Sequence, residues 1–517
     1  MNQPFVISPA AAWAFFGAMV FGNFMAILDI QIVASSLNEI QAGLGASQSE
    51  IAWVQTAYLI AEVIAIPLSG FLSRLFSTRV YFSACAVGFS LASLLCGFAW
   101  NIESMLTFRA IQGFLGGGMI PTTMAALFVL FPANKQAAPM VLVGMVSTLG
   151  PAIGPTLGGW LTSNLSWHWM FFINLAPGLM VAAQVFAGVD IDQAEPALLK
   201  RIDWAGLTGM ALFLGCLEYV LDEGPRNDWF SDHLILLAAV VLVVAGTVFF
   251  WRSFTAKDPI VDLRVFADRN FATSSLMTFV VGMALYGMVY ILPVFLGQVR
   301  GMNSSQIGSI MMIQGGAMFL AAPFVGAVLP RFDPRKTIFI GMMMGAIGVW
   351  MDASLTTQSD YDEFFWSQII RGVGMMMCLV VMSQLAMATL PLSKIKSASG
   401  VYNLTRNIGG AIGLALINTL LDQRMALHLT SLASQITPDR PEVIDRMNGM
   451  VERLTGSMGD AAYGGMISQI SREMHLQALT LSFNDLLRGL AILMAVMAFL
   501  VFTLKRPPVM RGGGGAH

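Results

Sequence analysis

The chain has 517 residues, of which 56% are apolar and 11% are charged, and its formal net charge is −2. Soluble domains carry about 25% charged residues, so this chain has too few to cover a water-facing surface. The near-neutral charge argues against a nucleic-acid partner, and the composition predicts an all-α integral membrane protein.

Fourteen segments are long and apolar enough to cross a bilayer, because a spanning helix needs about 20 mostly apolar residues. An even number of spans places both termini on the same side of the membrane. The predicted spans are 11–37, 51–73, 80–99, 102–131, 139–163, 169–189, 204–222, 234–254, 271–297, 306–329, 336–354, 364–390, 397–420 and 486–504.

The loops divide the basic residues unequally between the two sides of the membrane. Seventeen lysines and arginines fall in the loops and tail on the side of the termini, whereas the short opposite loops hold Arg226 and Arg300. Cytoplasmic loops carry the excess of basic residues in membrane proteins, so both termini are expected in the cytoplasm.

Three charged residues within the first four spans are candidates for proton coupling. Asp29 and Arg109 fall at similar depths, nearer the outer side, so they can form a pair that offsets the cost of burial. Glu62 lies at the middle of the second span, where burial favours the neutral carboxyl and suits reversible protonation. The alternative for each residue is that it only fixes helix packing. Glu218, late in the seventh span, is expected to be a solvated helix end.

The fifth span reads STLGPAIGPTLGGW and is predicted to be a bent, tightly packed pivot. Its glycines recur at four-residue spacing, which lets another helix approach closely, and its prolines remove backbone hydrogen bonds. The residues of this predicted hinge are Gly150, Pro151, Gly154, Pro155, Gly158 and Gly159.

The two halves of the chain form an internal repeat. Gly113 and Gly372 are 259 residues apart, and so are Gly150 and Gly409. Internal repeats of this kind are typical of secondary transporters whose site lies between the repeats near mid-membrane. Two spans between the halves have no counterpart, so the predicted architecture is six plus two plus six. The predicted units are 1–190, a two-helix linker insertion at 191–265, a second bundle from 266–420 and 486–504, an external loop at 421–485, and a flexible cytoplasmic tail at 505–517.

Polar side chains on several spans are predicted to line a substrate cavity between the halves. In the repeat, Arg109 aligns with Gln368 and Gln112 with Arg371, so each half has a basic residue at nearly the same place. The helices that match those of Asp29 and Glu62 carry no carboxylate, which assigns proton handling to the first half. The predicted cavity and relay residues are Gln31, Gln112, Gln368, Arg371, Asn403, Arg406 and Asn407.

The segment 421–485 is too polar to span the membrane. Its Met, Leu and Ile residues recur at helical spacing between charges, as in VIDRMNGMVERL, which predicts one or two amphipathic helices. The segment either packs on the protein's own outer face or provides a docking surface for a partner outside the membrane.

The motifs resemble those of the major facilitator superfamily, specifically its fourteen-helix drug:proton antiporters of the EmrB/QacA type. The resemblance extends over nearly the whole chain, through LDIQIVASSL, RAIQG, GPAIGPTLGGWL, WHWMFFINLAPG and NLTRNIGGAIG. It is closest to the EmrB-like inner-membrane permeases of tripartite pumps. It therefore implies a bacterial inner-membrane location, a periplasmic adaptor, an outer-membrane channel, and docking through 421–485.

The loop after the second span departs from the family pattern. The family often has G-x-L-A-D-R-x-G-R-R, whereas this chain has GFLSRLFSTR, with Arg74 at the acidic position and Ser77 at the second glycine. Gln31 stands where a threonine is common, and Glu62 is not a general family feature. The predicted cytoplasmic gating residues, including those of the matching second-half loop, are Gly70, Arg74, Arg79, Arg331 and Arg335.

We therefore predict a proton-driven multidrug efflux transporter that works by alternating access. Its expected partners are lipophilic small-molecule drugs, protons and membrane lipids, and it is expected to need no metal or cofactor beyond the proton gradient. A proton-coupled importer, or an exporter of one specific metabolite, is the alternative, although the antiporter-like Gly-Pro motif argues against import. An intramembrane enzyme is the remote alternative, because no HExxH, GxGD or Ser/His arrangement lies at membrane depth.

Overall fold

The computed structural model describes residues 8–34, 36–132, 135–188, 190–328, 332–436 and 440–505, and within those ranges the regular structure is entirely helical. The α-helices are α1 (Pro9–Ala34), α2 (Leu37–Leu44), α3 (Gln48–Phe76), α4 (Thr78–Gly97), α5 (Ile102–Leu130), α6 (Ala137–Asn164), α7 (Trp169–Phe172), α8 (Leu175–Ala187), α9 (Trp204–Glu223), α10 (His233–Thr255), α11 (Arg269–Gln298), α12 (Ser304–Val328), α13 (Pro334–Met351), α14 (Tyr361–Met387), α15 (Leu392–Gln435), α16 (Pro441–Met458) and α17 (Ala462–Ala498).

Fourteen spans account for the apolar helices of the described residues. Thirteen are long and apolar enough to cross a membrane by length and hydropathy, with α7 and α8 together forming one of them. The remaining span is α6, which has 28 residues and no charged side chain. The predicted all-α, fourteen-helix membrane fold is therefore confirmed. We call the side where α1 begins and α17 ends the terminal face, and the other side the opposite face.

The last two spanning helices are much longer than the predicted spans. α15 continues to Gln435 and α17 already begins at Ala462, because helical hydrogen bonding continues where the hydropathy falls. At 1.5 Å per residue, the extensions reach about 22 Å and about 36 Å beyond the predicted spans. Together with α16, which packs on α17, the extensions form a helical projection on the opposite face, made of the described residues of segment 421–485.

The sixth span is broken between α7 and α8. Pro177 has no backbone N–H, so it cannot donate to the carbonyl of Ile173. In the turn between the two helices, the backbone N–H of Asn174 donates to Phe171 O at 3.2 Å. Asn174 lies at this break, and its side chain donates to Asp29 of α1 and to Ser93 of α4.

Two bundles face each other, and a helix of the insertion lies against both. The first bundle contains α1 and α3–α8, and the second contains α11–α15 and α17. They meet where α3 packs on α15 and α6 packs on α12, and α9 contacts both α3 and α15. This arrangement places the centre of the molecule between α3, α9, α11 and α15.

Candidate transport site

A fully buried network surrounds Asp29 in the first bundle. Arg109 Nη1 lies 2.6 Å from Asp29 Oδ2, and neither side chain is exposed. The other carboxylate oxygen accepts hydrogen bonds from Gln112 Nε2 at 3.0 Å and from Asn174 Nδ2 at 2.7 Å. The matching depths of Asp29 and Arg109 predicted this contact, whereas the contribution of Asn174 was missed. The only signal for it was an asparagine shortly before the proline of INLAPG.

Arg109 links this network to α3. Its Nε donates to the carbonyl oxygen of Val54 at 3.2 Å, and its guanidinium carbon lies 4.3 Å from the centre of the Tyr58 ring. Tyr58 and Glu62 are four residues apart, so they share one face of α3. A change in the Asp29 network therefore acts directly on the helix that carries Glu62.

Glu62 is buried but unpaired. It is 4% exposed, and none of the described residues forms a hydrogen bond or an ion pair with it; the guanidinium groups of Arg406 and Arg109 act on it only at longer range. The backbone of α5 comes close at this level, because a Cβ on Gly117 would lie 2.7 Å from Glu62 O. An isolated carboxylate in such a place favours either a proton or a cation as its partner.

The second bundle contributes Arg406, Tyr286 and Asn407 to the central region between the bundles. Arg406 of α15 lies within electrostatic range of Glu62, and its Nε is buried without a partner among the described residues. Tyr286 of α11 donates to Asn407 Oδ1 at 3.4 Å and lies within electrostatic range of both Arg406 and Glu62. An acid from one bundle and a base from the other thus interact over a longer range, without a hydrogen bond or an ion pair between them.

Five of the seven predicted cavity residues have contacts elsewhere: Gln112 in the Asp29 network, Gln368 and Arg371 in the second bundle, and Asn403 and Gln31 on their own or a neighbouring helix. Asn403 donates to Ser399 O of its own helix at 2.9 Å, and Gln31 packs against Gly154 of α6. Arg406 is thus within electrostatic range of Glu62 and Asn407 is bonded to Tyr286, while Asn403 and Gln31 contact their own or a neighbouring helix.

A second buried ion pair lies in the other bundle. Arg371 Nη1 is 2.8 Å from Asp352 Oδ2, and Arg371 also donates to Gln368 at 2.5 Å and to Gln314 at 2.8 Å. Asp352 is 2% exposed. The assignment of proton handling to the first half stays a prediction; Asp352, the residue after the end of α13, is a buried carboxylate of the second half that the sequence analysis did not identify.

Glu218 also differs from its prediction. It was expected to be a solvated helix end, but α9 packs along α3, and Glu218 lies within electrostatic range of Glu62 and Asp222. The linker helix fills the groove between the bundles instead of standing apart in lipid, which turns its polar face inward.

The glycines of α6 form a close crossing with α1. A Cβ on Gly150 would lie 2.6 Å from Ile27 Cγ2, and one on Gly154 would overlap the Gln31 side chain. Gly158 is buried, whereas a Cβ on Gly159 would meet nothing within 4 Å. The side chains of Pro151 and Pro155 lie outside what the structure describes.

The bundles are in contact at the terminal face. A Cβ on Gly70 of α3 would lie 3.0 Å from the carbonyl oxygen of Lys396 in α15, and one on Gly400 would lie 3.1 Å from Ile66 O. Ser399 Oγ donates to the carbonyl oxygen of Pro121 in α5 at 3.0 Å. These contacts close the space between α3 and α15 on that side.

Acidic residues after α8 bind the basic end of α3 and the basic start of α4. Arg74 pairs with Glu195 at 3.2 Å and Arg79 with Asp190 at 2.9 Å. Asp190 and Glu195 therefore supply negative charge beside Arg74, which occupies the position where the family pattern has an acidic residue.

Asp192 joins this segment to the second bundle. Its carboxylate accepts the backbone N–H of Thr78 at 2.9 Å and forms an ion pair with Lys396. Neither Asp192 nor Lys396 was among the predicted gating residues. Arg335 lies in the first turn of α13, where its N–H donates to Asp333 at 3.0 Å, and Arg331 lies outside the described residues.

Comparison with known proteins places the chain among transporters. The sequence profile of the Major Facilitator Superfamily matches residues 19–414. The chain is 57% identical to the colistin resistance protein EmrB of Acinetobacter baumannii over 96% of each protein. It is 29% identical to the fatty acid resistance protein FarB of Neisseria gonorrhoeae over the full length of both, and 29% identical to the multidrug export protein EmrB of Escherichia coli K12 over 97% of each.

Solved structures share the fold at low sequence identity. The human organic anion transporter MFSD10 superposes with a TM-score of 0.60 at 11% identity, covering 96% of this chain and 100% of that one. A bacterial homologue of the human lysosomal transporter Spinster, in an inward-facing conformation, gives 0.55 at 16% identity, covering 96% and 98%. These likenesses concern the fold alone.

Proposed function

The chain belongs to the major facilitator superfamily and is a multi-pass membrane transporter, not an enzyme; from that premise we propose that it exports lipophilic drugs in exchange for protons. The sequence profile and the relative at 57% identity confirm the family that the motifs predicted. The observation that carries the proposal is Glu62, a buried carboxylate that has no hydrogen-bond or ion-pair partner among the described residues and lies within electrostatic range of Arg406 in the other bundle. Such a group takes up a proton when no cation is near and releases it when one binds.

The direction of transport follows from the distribution of basic residues. The terminal face holds most of the lysines and arginines in loops, which favours the cytoplasm for that face. The relatives named as a multidrug export protein and as resistance proteins support the inner membrane as the location and efflux as the direction. Substrate then enters from the cytoplasm or the inner leaflet when the contacts of Gly70 and Lys396 separate.

In the proposed cycle, Glu62 is the site that exchanges proton for substrate, and the Asp29–Arg109 pair stabilises α1 and α5 around it. Binding of a lipophilic compound between the bundles displaces the proton of Glu62. The bundles then rock about the α1–α6 crossing at Gly150 and Gly154, and the opposite face opens. A proton from outside returns to Glu62 and releases the substrate.

The helical projection formed by α15, α16 and α17 is proposed to contact a periplasmic adaptor of a tripartite pump. Its length beyond the predicted spans supports this assignment, since both helix extensions reach well past the membrane boundary. Pulldown of an adaptor by the full chain, compared with a chain that lacks α16, tests the contact.

Transport by reconstituted protein tests the main proposal. Proteoliposomes with an acidic interior should accumulate the lipophilic dye acriflavine, and collapse of the pH gradient with nigericin should abolish the accumulation. Dye accumulation that is the same with and without the gradient would overturn proton exchange. No accumulation of acriflavine or of other lipophilic dyes would overturn drug export.

A further inference from the structure

The half of α3 nearer the opposite face packs on the linker helix α9. The ring centres of Trp53 and Tyr219 are 5.5 Å apart, and Thr56, about one turn further along α3, donates a hydrogen bond to Asp222. A Cβ on Gly215 would lie 3.5 Å and 3.6 Å from two isoleucine side chains of α3. These contacts extend along about two turns of α9, so α9 is fixed to the first bundle.

The end of α9 is joined to the second bundle by a hydrogen bond. Trp229, in the turn after α9, donates its indole N–H to Thr419 Oγ1 of α15 at 3.1 Å. The hydroxyl of Thr419 itself donates to the carbonyl oxygen of Ala415 in the same helix at 2.8 Å. Because the proton of this hydroxyl is directed along α15, its oxygen is available to accept from Trp229.

The backbone of this turn is strained. Asp228 and Trp229 have φ angles of 50° and 55°, in the left-handed region that a bulky residue such as tryptophan rarely adopts. The backbone N–H of Trp229 donates to Gly224 O at 2.8 Å, and a Cβ on Gly224 would lie 2.8 Å from Trp229 Cε3. Such strain persists only where the surrounding contacts maintain it, and it is concentrated at functional sites and switch regions. The strained turn therefore fixes the direction in which the indole N–H points.

The bond between Trp229 and Thr419 belongs to one arrangement of the two bundles. In this arrangement α3 and α15 touch near the terminal face, where a Cβ on Gly70 would lie 3.0 Å from Lys396 O. Rocking that separates the bundles there also changes their distance near the opposite face. Since α9 is fixed to α3 while Thr419 belongs to the second bundle, the bond breaks during this motion.

We propose that the linker insertion is a conformational latch, in which the hydrogen bond from Trp229 to Thr419 stabilises the arrangement with the terminal face closed. This inference rests on the alternating access of the proposed export cycle and adds a contact that regulates it. One hydrogen bond changes an equilibrium about fivefold. Loss of the latch should therefore shift the population by about that factor toward the arrangement in which the terminal face is open.

Labelling of Ser397→Cys by a membrane-impermeant maleimide measures how often the terminal face opens. The full-length protein is placed in nanodiscs, without drug or pH gradient. Thr419→Val and Trp229→Phe remove the same bond from its two sides, so each should speed labelling about fivefold. The double variant should be no faster than either single variant, because the second substitution has no bond left to remove.

The helix α10 offers matched controls for both substitutions. Thr247 is exposed and, like Thr419, donates to a carbonyl oxygen of its own helix, that of Val243 at 2.8 Å. Trp251 is exposed on the same helix. Thr247→Val and Trp251→Phe should both leave the labelling rate of Ser397→Cys unchanged.

Three results would overturn the inference: unchanged labelling in the latch variants, slower labelling in them, or a double variant in which the two effects multiply. If one latch variant does not fold, the other still removes the bond, and Trp229→Phe keeps an aromatic ring beside Gly224. Failure of the proposed export function is a separate result. It would be seen as absence of gradient-driven acriflavine accumulation, whatever the labelling rates.

Discussion

Arg109 and Asp29 form an ion pair of 2.6 Å in which neither side chain has any exposed surface. The pair is stabilised by neighbouring amides, since Gln112 and Asn174 both donate to Asp29. Burial of two charges is costly, so the pair adds little net stability over an apolar pair, but loss of one partner leaves the other uncompensated. The pair therefore fixes how α1 and α5 sit against each other.

Removal of one charge of this pair should destabilise the protein strongly. Asp29→Asn leaves Arg109 buried without a counter-charge, which is expected to cost about 3–5 kcal/mol. Thermal unfolding of the detergent-solubilised protein, followed by size-exclusion fluorescence, measures the loss. Adding Arg109→Gln to Asp29→Asn should recover a large part of it. Equal or greater destabilisation of the double variant would show that the two residues do not act as a pair.

The second-bundle pair is expected to serve stability without coupling. Asp352→Asn leaves Arg371 uncompensated, so the unfolding temperature should fall in the same way as for Asp29→Asn. Substrate-induced proton release by the folded fraction should remain, because Asp352 has no contact with Glu62 in the described residues. Proton release that disappears in a well-folded Asp352→Asn protein would assign coupling to both halves.

The crossing of α1 and α6 should tolerate no side chain at Gly154. A Cβ there overlaps Gln31, so Gly154→Ala should lower both the unfolding temperature and the export rate. Gly159→Ala is the matched control on the same helix, since its Cβ meets nothing within 4 Å. Because alanine favours helix over glycine by about 1 kcal/mol, the control should be neutral or slightly stabilising. Similar effects of the two substitutions would argue against the crossing as a pivot.

The bridge between Asp192 and Lys396 should hold the terminal face closed. Asp192→Asn removes the ion pair, so the bundles should separate there more often. Labelling of Ser397→Cys by a membrane-impermeant maleimide, with the terminal face exposed to the reagent, should then become several-fold faster. Asp258→Asn is the control, since its pair with Arg201 is exposed and long, at 3.7 Å. Unchanged labelling in Asp192→Asn would show that this ion pair does not hold the terminal face closed.

The sequence predicted those features that depend on position along a helix. Hydropathy found the fourteen spans, and equal depth in two spans led to the contact of Asp29 with Arg109. The position of Glu62 at the middle of the second span led to the prediction that this side chain is buried. Each of these inferences needs only helix geometry and the thickness of the membrane.

The features that the sequence did not reveal depend on how separate segments meet. No motif marks Asp352 in the sequence, and only the turn after α13 carries it to Arg371. Glu218 looked solvated, because nothing in the sequence shows that α9 packs between the bundles. Asp192 lies in a segment without a motif, and its role depends on the contact with Lys396.

The most direct test of the account is proton release by purified protein when a lipophilic drug is added, measured with a pH dye in weak buffer. Release should occur in the wild type and in Glu103→Gln, persist in the folded fraction of Asp29→Asn, and disappear in Glu62→Gln. That result would identify Glu62 as the group at which proton and substrate exclude each other. Release that persists in Glu62→Gln but is lost in Asp29→Asn would contradict the account and move the exchange site to the Asp29 network.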